Sequence, residues 1–333
     1  MLAPIAWIYG NVASLRRTYW ARRATGLDRP VLSVGNITCG GTGKTPVVEM
    51  LVKDLLRLGR HPAVLSRGYG AATAAGGAHK SAVNDEYLVL AANVPGLLHL
   101  QGADRVARGR DAIGQGADVL VLDDGFQHVR LRRDLDFVLI DALQPFSHGR
   151  VLPSGLLREP LEALAQADLF GITRSDQVEA RTLSTLSSYL RSRFRGIPQV
   201  ELVASPIEWA TLGGGAALPE ALTGRTALAF CGIGNPESFR RQLESLRVTL
   251  RAFVGFRDHH RYTAADIRGL LERALELGVD EVVMTQKDAV KMPITGPTAS
   301  WRFLRIEARV ARGREAYEAS LARALEGGRS GAS

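Results

Sequence analysis

The sequence predicts an α/β protein: a parallel sheet core, a smaller α/β lobe at the C-terminal end and an amphipathic helix in front of both. Short apolar runs alternate with helical patterns along most of the 333 residues, as in sheets covered by helices on both faces. A glycine-rich turn joins the first run to the first such helix. A second glycine-rich stretch, LGGGAALPEALTG at 212–224, reads as a boundary. Together these predict a helix over 1–26, a core over 27–211 and a second lobe over 225–330.

In the opening segment, Ile5, Ile8, Val12, Leu15 and Tyr19 recur at helical spacing, with Trp7, Tyr9 and Trp20 alongside and Arg16, Arg17, Arg22 and Arg23 following. An aromatic-bearing apolar face beside a basic cluster suits a helix lying in a membrane interface, its arginines on lipid phosphates; the alternative is a helix capping the protein's own core. VLSVG (31–35) is a strand and Pro46 to Leu58 a helix. PAVLS (62–66) is a second strand, and the small-residue stretch AATAAGGAHK after it reads as a loop. DVLVL (118–122) and DFVLI (136–140) are strands running into acidic residues, and ADLFGIT (167–173) with VELVAS (200–205) continue the sheet. Beyond the break, TALAFC, LRAFVGF, EVVMTQKD and WRFLRIEARV supply strands, with helices between them and one at the end.

Composition narrows the function. Two cysteines far apart, Cys39 and Cys231, exclude a disulfide scaffold and a cysteine-rich zinc site and fit a reducing compartment. No run of 18 apolar residues occurs, and no basic stretch precedes the apolar start, so neither a transmembrane helix nor a secretory signal is expected. A net charge of +8 calls for an anionic partner. Nucleic acid is not expected, because the arginines are dispersed and no aromatic-rich RNA motif appears. Only five of the 42 basic residues are lysine (Lys44, Lys53, Lys80, Lys287 and Lys291). In so arginine-rich a chain, surviving lysines mark places that need a compact ammonium.

The strongest motif is GNITCGGTGKTP, Gly35 to Pro46, between strand and helix. In a phosphate-binding loop, glycines let backbone N–H groups surround phosphate oxygens, the lysine reaches the terminal phosphates, and the Ser/Thr hydroxyl meets Mg²⁺. Gly40, Gly41, Gly43, Lys44 and Thr45 fill those places. Thr38 stands where the usual G-x-x-x-x-G-K-[ST] pattern has its leading glycine, and Thr42 completes the loop. VLVLDDGFQH, ending the strand at Asp123 and Asp124, puts carboxylates at the sheet edge where such a site has its acidic partner. His128 closes that motif, either as a supporting hydrogen-bond partner or in the chemistry itself. The base-reading pattern of a GTPase fails, since Asp288 directly follows Lys287 in TQKDAVK. The nucleotide is therefore expected to be ATP.

With LSRGYG (65–70), NDE (84–86), DR (104–105), LDDGFQH (122–128), GRVLPSGLLREP (149–160), FRDHH (256–260) and TQKDAVK (285–291) in this order, the sequence resembles the tetraacyldisaccharide 4′-kinases of lipid A biosynthesis. The resemblance implies a P-loop NTPase-like core with a smaller C-terminal lobe and an N-terminal membrane-contacting helix. It implies ATP and Mg²⁺ as cofactors and transfer of phosphate to the 4′-hydroxyl of a tetraacyldisaccharide 1-phosphate. Nucleotide and Mg²⁺ groups fall on Lys44, Thr45, Asp123, Asp124 and Glu159. Ser66 and Tyr69 border the nucleotide, and Arg105, His128 and Arg158 lie near phosphate or substrate. The catalytic pair falls on Asp85 and His259, the first in the core segment and the second in the C-terminal lobe, so that lobe closure would assemble it; His260 is expected to support or face solvent. The implied place is the cytoplasmic face of a Gram-negative inner membrane, peripheral or monotopic, with the anionic lipid and the membrane surface as partners and no protein partner. The rival reading is an ATPase or GTPase switch acting on a macromolecule.

Overall fold

The computed structural model describes residues 2–68, 84–293, 298 and 300–327. Tyr69 and the stretch 71–80 lie outside the described residues. In chain order the elements are α1 (Ala3–Ala21), β1 (Val31–Asn36), α2 (Lys44–Arg57), β2 (Pro62–Ser66), α3 (Asp85–Asn93), β3 (Leu98–Gln101), α4 (Arg105–Gly114), β4 (Val119–Asp123), β5 (Leu135–Asp141), β6 (Leu169–Thr173), α5 (Ala180–Arg193) and β7 (Gln199–Thr211). They continue with β8 (Ala216–Ala217), β9 (Thr226–Cys231), α6 (Pro236–Ser245), β10 (Thr249–Gly255), α7 (Ala264–Leu277), β11 (Glu281–Thr285), α8 (Gln286–Ala289), β12 (Arg302–Arg312) and α9 (Arg314–Gly327). The chain forms two compact units, one of residues 1–84, 93–203 and 308–333, the other of 85–92 and 204–307.

In the first unit the strands run in the order β7-β6-β5-β1-β4-β2-β3, all parallel. β1, β4, β5 and β6 are buried at every position. That is why they read as unbroken apolar runs rather than alternations. Phe126, Val138, Leu164, Phe170 and Leu190 form one core layer, and Leu65, Ala112, Leu120 and Leu131 another. β1 lies between β4 and β5, so its glycine-rich exit and the acidic exit of β4 share the carboxyl edge, where open α/β sheets bind ligands.

The second unit pairs β10-β9-β11-β12 in parallel, and β8 returns antiparallel on β7. Phe239, Leu243, Trp209 and Leu222 form one cluster, and Phe230, Leu270, Met284 and Trp301 another.

Three boundaries fall elsewhere than the sequence suggests. The stretch 212–224 is no linker: Ala217 pairs with Trp209, the Trp209 indole donates to the Pro219 carbonyl at 3.0 Å, and Leu222 is buried. α9 belongs with the first unit, because Tyr317 is buried and its hydroxyl donates to Asp54 on α2 at 2.9 Å. Residues 85–92 of α3 count with the second unit, where Glu86 pairs with Lys287 at 2.6 Å.

α1 departs from the usual amphipathic rule. Its buried residues are Ala6, Gly10 and Arg17, while Ile5, Ile8, Val12, Leu15 and Tyr19 are exposed and Trp7 is 71% exposed. The inward face is small rather than apolar: a Cβ on Gly10 would already stand 3.5 Å from Val151. Arg17 is therefore corrected from a lipid-facing to a buried residue. Among the described residues, no helix is long and apolar enough to cross a membrane.

Candidate active site

The glycine-rich turn leads from β1 directly into α2. Gly43 precedes Lys44 with φ of 80°, a left-handed conformation that glycine adopts without steric cost. It turns the head of α2 toward the loop, presenting the unpaired N–H groups of a helix start. The 149–160 segment runs alongside: the Cys39 N–H donates to the Leu156 carbonyl at 2.7 Å and the Arg158 N–H to the Ile37 carbonyl at 2.7 Å, and Thr38 bridges Leu157. Thr38, buried like Thr42 and Thr45, thus helps hold that segment against the loop. Arg174 donates to the Gly41 carbonyl at 2.7 Å and pairs with Asp141, and the Thr173 hydroxyl donates to the Thr42 carbonyl at 3.0 Å. These supports behind Gly41 and Thr42 were missed from sequence. Their only signal is that a buried strand ends in Thr173 with Arg174 next in sequence.

Lys44 Nζ donates to Asn36 Oδ1 at 3.2 Å and lies 3.4 Å from Asp124 Oδ1. Arg158 donates to Asp124 Oδ2 at 2.7 Å. Burial pushes the Asp124 carboxyl up, but Lys44 and Arg158 together hold it below the usual carboxylate range. Asp124 takes a left-handed φ of 57° just past the buried Asp123. Glu159 is buried and accepts a 2.6 Å bond from Arg17. Gln127 joins the two groups, accepting from Arg158 at 3.3 Å and approaching Glu159 to 3.4 Å.

The donor set fits Mg²⁺, a hard cation that takes oxygen ligands and keeps waters. The Thr42 hydroxyl is buried with no hydrogen-bond partner among the described residues, and Asp124 Oδ1 faces Lys44 Nζ at the long distance of 3.4 Å. Asp123 adjoins Asp124, Thr45 follows Lys44 in α2, and Glu159 is linked to the Asp124–Arg158 pair through Gln127. Arg105, buried, opens α4 behind its Asp104 cap. Burial, with Arg105 and Arg133 nearby, drops His128 to about 4, so its ring is neutral. Ser66 ends β2, buried, its hydroxyl 2.8 Å from His99 Nε2. His99 is a partner that the sequence did not suggest.

The second unit brings Asp85 and His259 together. His259 Nδ1 lies 2.8 Å from Asp85 Oδ1 and 3.1 Å from Oδ2. The expectation that this pair waits on lobe closure is corrected: both residues belong to one compact unit, and the bond is made within it. His259 has a φ of 57°, uncommon for a residue with a side chain; its N–H is held by Asp258 Oδ1 at 3.0 Å. Burial would raise the Asp85 carboxyl, but the His259 bond and the Lys287 ammonium keep it well below its ordinary value. An ionised carboxylate only accepts, so the Nδ1 of neutral His259 carries the hydrogen and Nε2 the lone pair. The Asp85 bond in turn raises the His259 pKa above its ordinary value.

Lys287 Nζ lies 2.6 Å from Glu86 and 3.9 Å from Asp85, and Lys291 Nζ lies 3.6 Å from Asp85. Asp85, Glu86 and His259 offer ligand atoms within 4.8 Å of one another, a spacing that a cation could bridge. The Lys287 ammonium already supplies that positive charge. His260 turns the other way, stacked on Phe256 at 4.6 Å and bonded to Asp266 at 3.1 Å.

The chain as a whole is similar to known proteins. The family model described as tetraacyldisaccharide-1-P 4′-kinase (LpxK) matches residues 1–326. A tetraacyldisaccharide 4′-kinase of Syntrophus aciditrophicus is 39% identical, covering 93% of this chain and 89% of its own. One from Geobacter metallireducens is 40% identical over 90% of this chain and 89% of its own. The crystal structure of LpxK from Aquifex aeolicus in complex with ATP matches with a TM-score of 0.73 at 26% identity, over 97% of this chain and 98% of that one. The chain belongs to the tetraacyldisaccharide-1-P 4′-kinase family.

Proposed function

We propose that this protein transfers the γ-phosphoryl group of ATP to the 4′-hydroxyl of a tetraacyldisaccharide 1-phosphate at the cytoplasmic face of a Gram-negative inner membrane. The observation that carries the reading is the Asp85–His259 bond of 2.8 Å. It is a base fixed in one tautomer by an acceptor-only partner, which a nucleotide switch acting on a macromolecule has no use for. His259 Nε2 takes the hydroxyl proton as the sugar oxygen bonds to phosphorus and the bond from phosphorus to the β,γ-bridging oxygen breaks, releasing ADP. Lys44 and the backbone N–H groups of Gly40 to Thr45 hold the phosphates, and Arg158 adds positive charge beside Asp124. Thr45, Asp124 and Glu159, with Asp123 alongside, are the residues that would hold Mg²⁺, which would neutralise phosphate charge when bound. Arg105, His128 and Ser66 border nucleotide or lipid headgroup.

The exposed apolar face of α1 and the arginines at its end seat the enzyme on the membrane as a peripheral or monotopic protein, where its anionic lipid substrate resides. No protein partner is needed. The test is incubation with [γ-³²P]ATP, Mg²⁺ and disaccharide 1-phosphate. A labelled lipid lost in Lys44→Ala, whose expected cost is at least ~10²–10³-fold, supports the reading. Labelled inorganic phosphate as the sole product would overturn it in favour of an ATPase.

A further inference from the structure

We propose that Arg17 is a positioning residue of the phosphate site, holding Glu159 and the 123–128 turn in register from the inner face of α1. The inference rests on the phosphate-site reading above. Arg17 is the one charged residue among the buried residues of α1. Its Nε donates to Gln166 Oε1 at 2.8 Å, and its Nη1 to Glu159 Oε2 at 2.6 Å and to the Phe126 carbonyl at 3.1 Å. The guanidinium lies 4.1 Å from the centroid of the Phe126 ring. Such a planar fork binds a carboxylate, a carbonyl and an aromatic face at once, which an ammonium cannot do.

What Arg17 touches is what the site needs fixed. Glu159 follows Arg158, the partner of Asp124, and Phe126 follows Asp124 by two residues. The turn has no slack to absorb a shift, because a Cβ on Gly35 would stand 2.6 Å from Phe126 Cβ. Gln127 carries the order onward: its Nε2 donates to the Asn36 carbonyl at 2.9 Å, and Asn36 Oδ1 accepts from Lys44. A chain of polar contacts therefore runs from the inner face of α1 to the phosphate-loop lysine. The same helix presents its apolar residues outward, so the element proposed to seat on lipid also braces the phosphate site.

The test uses the full chain and a fluorescent ATP analogue titrated with Mg²⁺, together with sedimentation on phosphatidylglycerol vesicles. In Arg17→Met the Mg²⁺ needed for half-maximal nucleotide binding should rise ~10–100-fold, the usual effect of removing a partner that orients a metal ligand. kcat should fall by a similar factor, and vesicle binding should stay within about two-fold because Arg17 meets no lipid. Arg17→Lys should fall between, keeping the charge but not the fork. Should Arg17→Met fail to fold, Arg17→Gln/Glu159→Gln keeps a neutral hydrogen bond, and its Mg²⁺ requirement should equal that of Glu159→Gln alone. Parent-like Mg²⁺ dependence in Arg17→Lys and Arg17→Met, or lost vesicle binding in Arg17→Met, would overturn the proposal. Lys44→Ala separates the two readings: if it binds nucleotide as the parent does, the phosphate-site reading itself falls.

Discussion

Asp85 and His259 lie 174 positions apart, yet each sets the other's protonation. The sign of the pH dependence follows. His259 is raised above its ordinary value near 6.5, so the charged pair's contribution to stability is full below that value and fades as pH rises through the raised one. Asp85 is lowered, so its contribution holds above its ordinary value near 3.8 and fades as pH falls through the depressed one. As the proposed base, His259 must be neutral, so the acidic limb of kcat/KM should lie above the ordinary value near 6.5 and move to lower pH in Asp85→Asn. A limb that stays put in Asp85→Asn would separate the aspartate from the base. Asp85→Ala and His259→Ala should each cost ~10²–10⁴-fold in kcat. The double variant should be little worse than the worse single one, as for residues acting as a unit; multiplicative losses would mean independent roles. The family resemblance singled out both residues but not their shared unit, because the ion pairs of Glu86 and Asp85 with Lys287 and Lys291 come from about 200 positions away and leave no periodicity.

The elements divide by how much of their structure is local. β1, the glycine turn and α2 were legible because an unbroken apolar run, a left-handed glycine and a helix start follow one another within a few residues. β3 was not: LHLQ is four half-buried residues at the end of the strand order, too short and too mixed to register. In α1 the helix was legible but its orientation was not, because apolar periodicity normally marks the buried face and here marks the exposed one. Arg16, Arg22 and Arg23 remain exposed at its end. Reversing these three to Glu should weaken binding to anionic vesicles by about 1 kcal/mol per residue at low salt; unchanged sedimentation would return α1 to a purely structural role. α9 is tied in by a bond the sequence could not show. Tyr317→Phe leaves Asp54 short of a buried partner and should lower stability by about 1.5–3 kcal/mol in urea unfolding, with an unchanged m value. A midpoint equal to the parent's would mean that the bond contributes nothing.

At the scale of the whole molecule, one compact unit carries the residues proposed to hold phosphate and the other the proposed base, a division of labour that fits a kinase delivering phosphate to a bulky lipid acceptor. The family and its α/β class were legible in the ordered series of short motifs, since each marks a turn at a strand end. The partition into units was not, because compactness is decided by packing between distant segments such as 85–92 and 204–307. The most direct measurement of the central claim is where the label goes. After reaction with [γ-³²P]ATP, mild acid that cleaves the anomeric 1-phosphate should leave the label on the lipid, as a stable ester of the 4′-hydroxyl. Label released with the anomeric phosphate, or never found on the lipid, would contradict it.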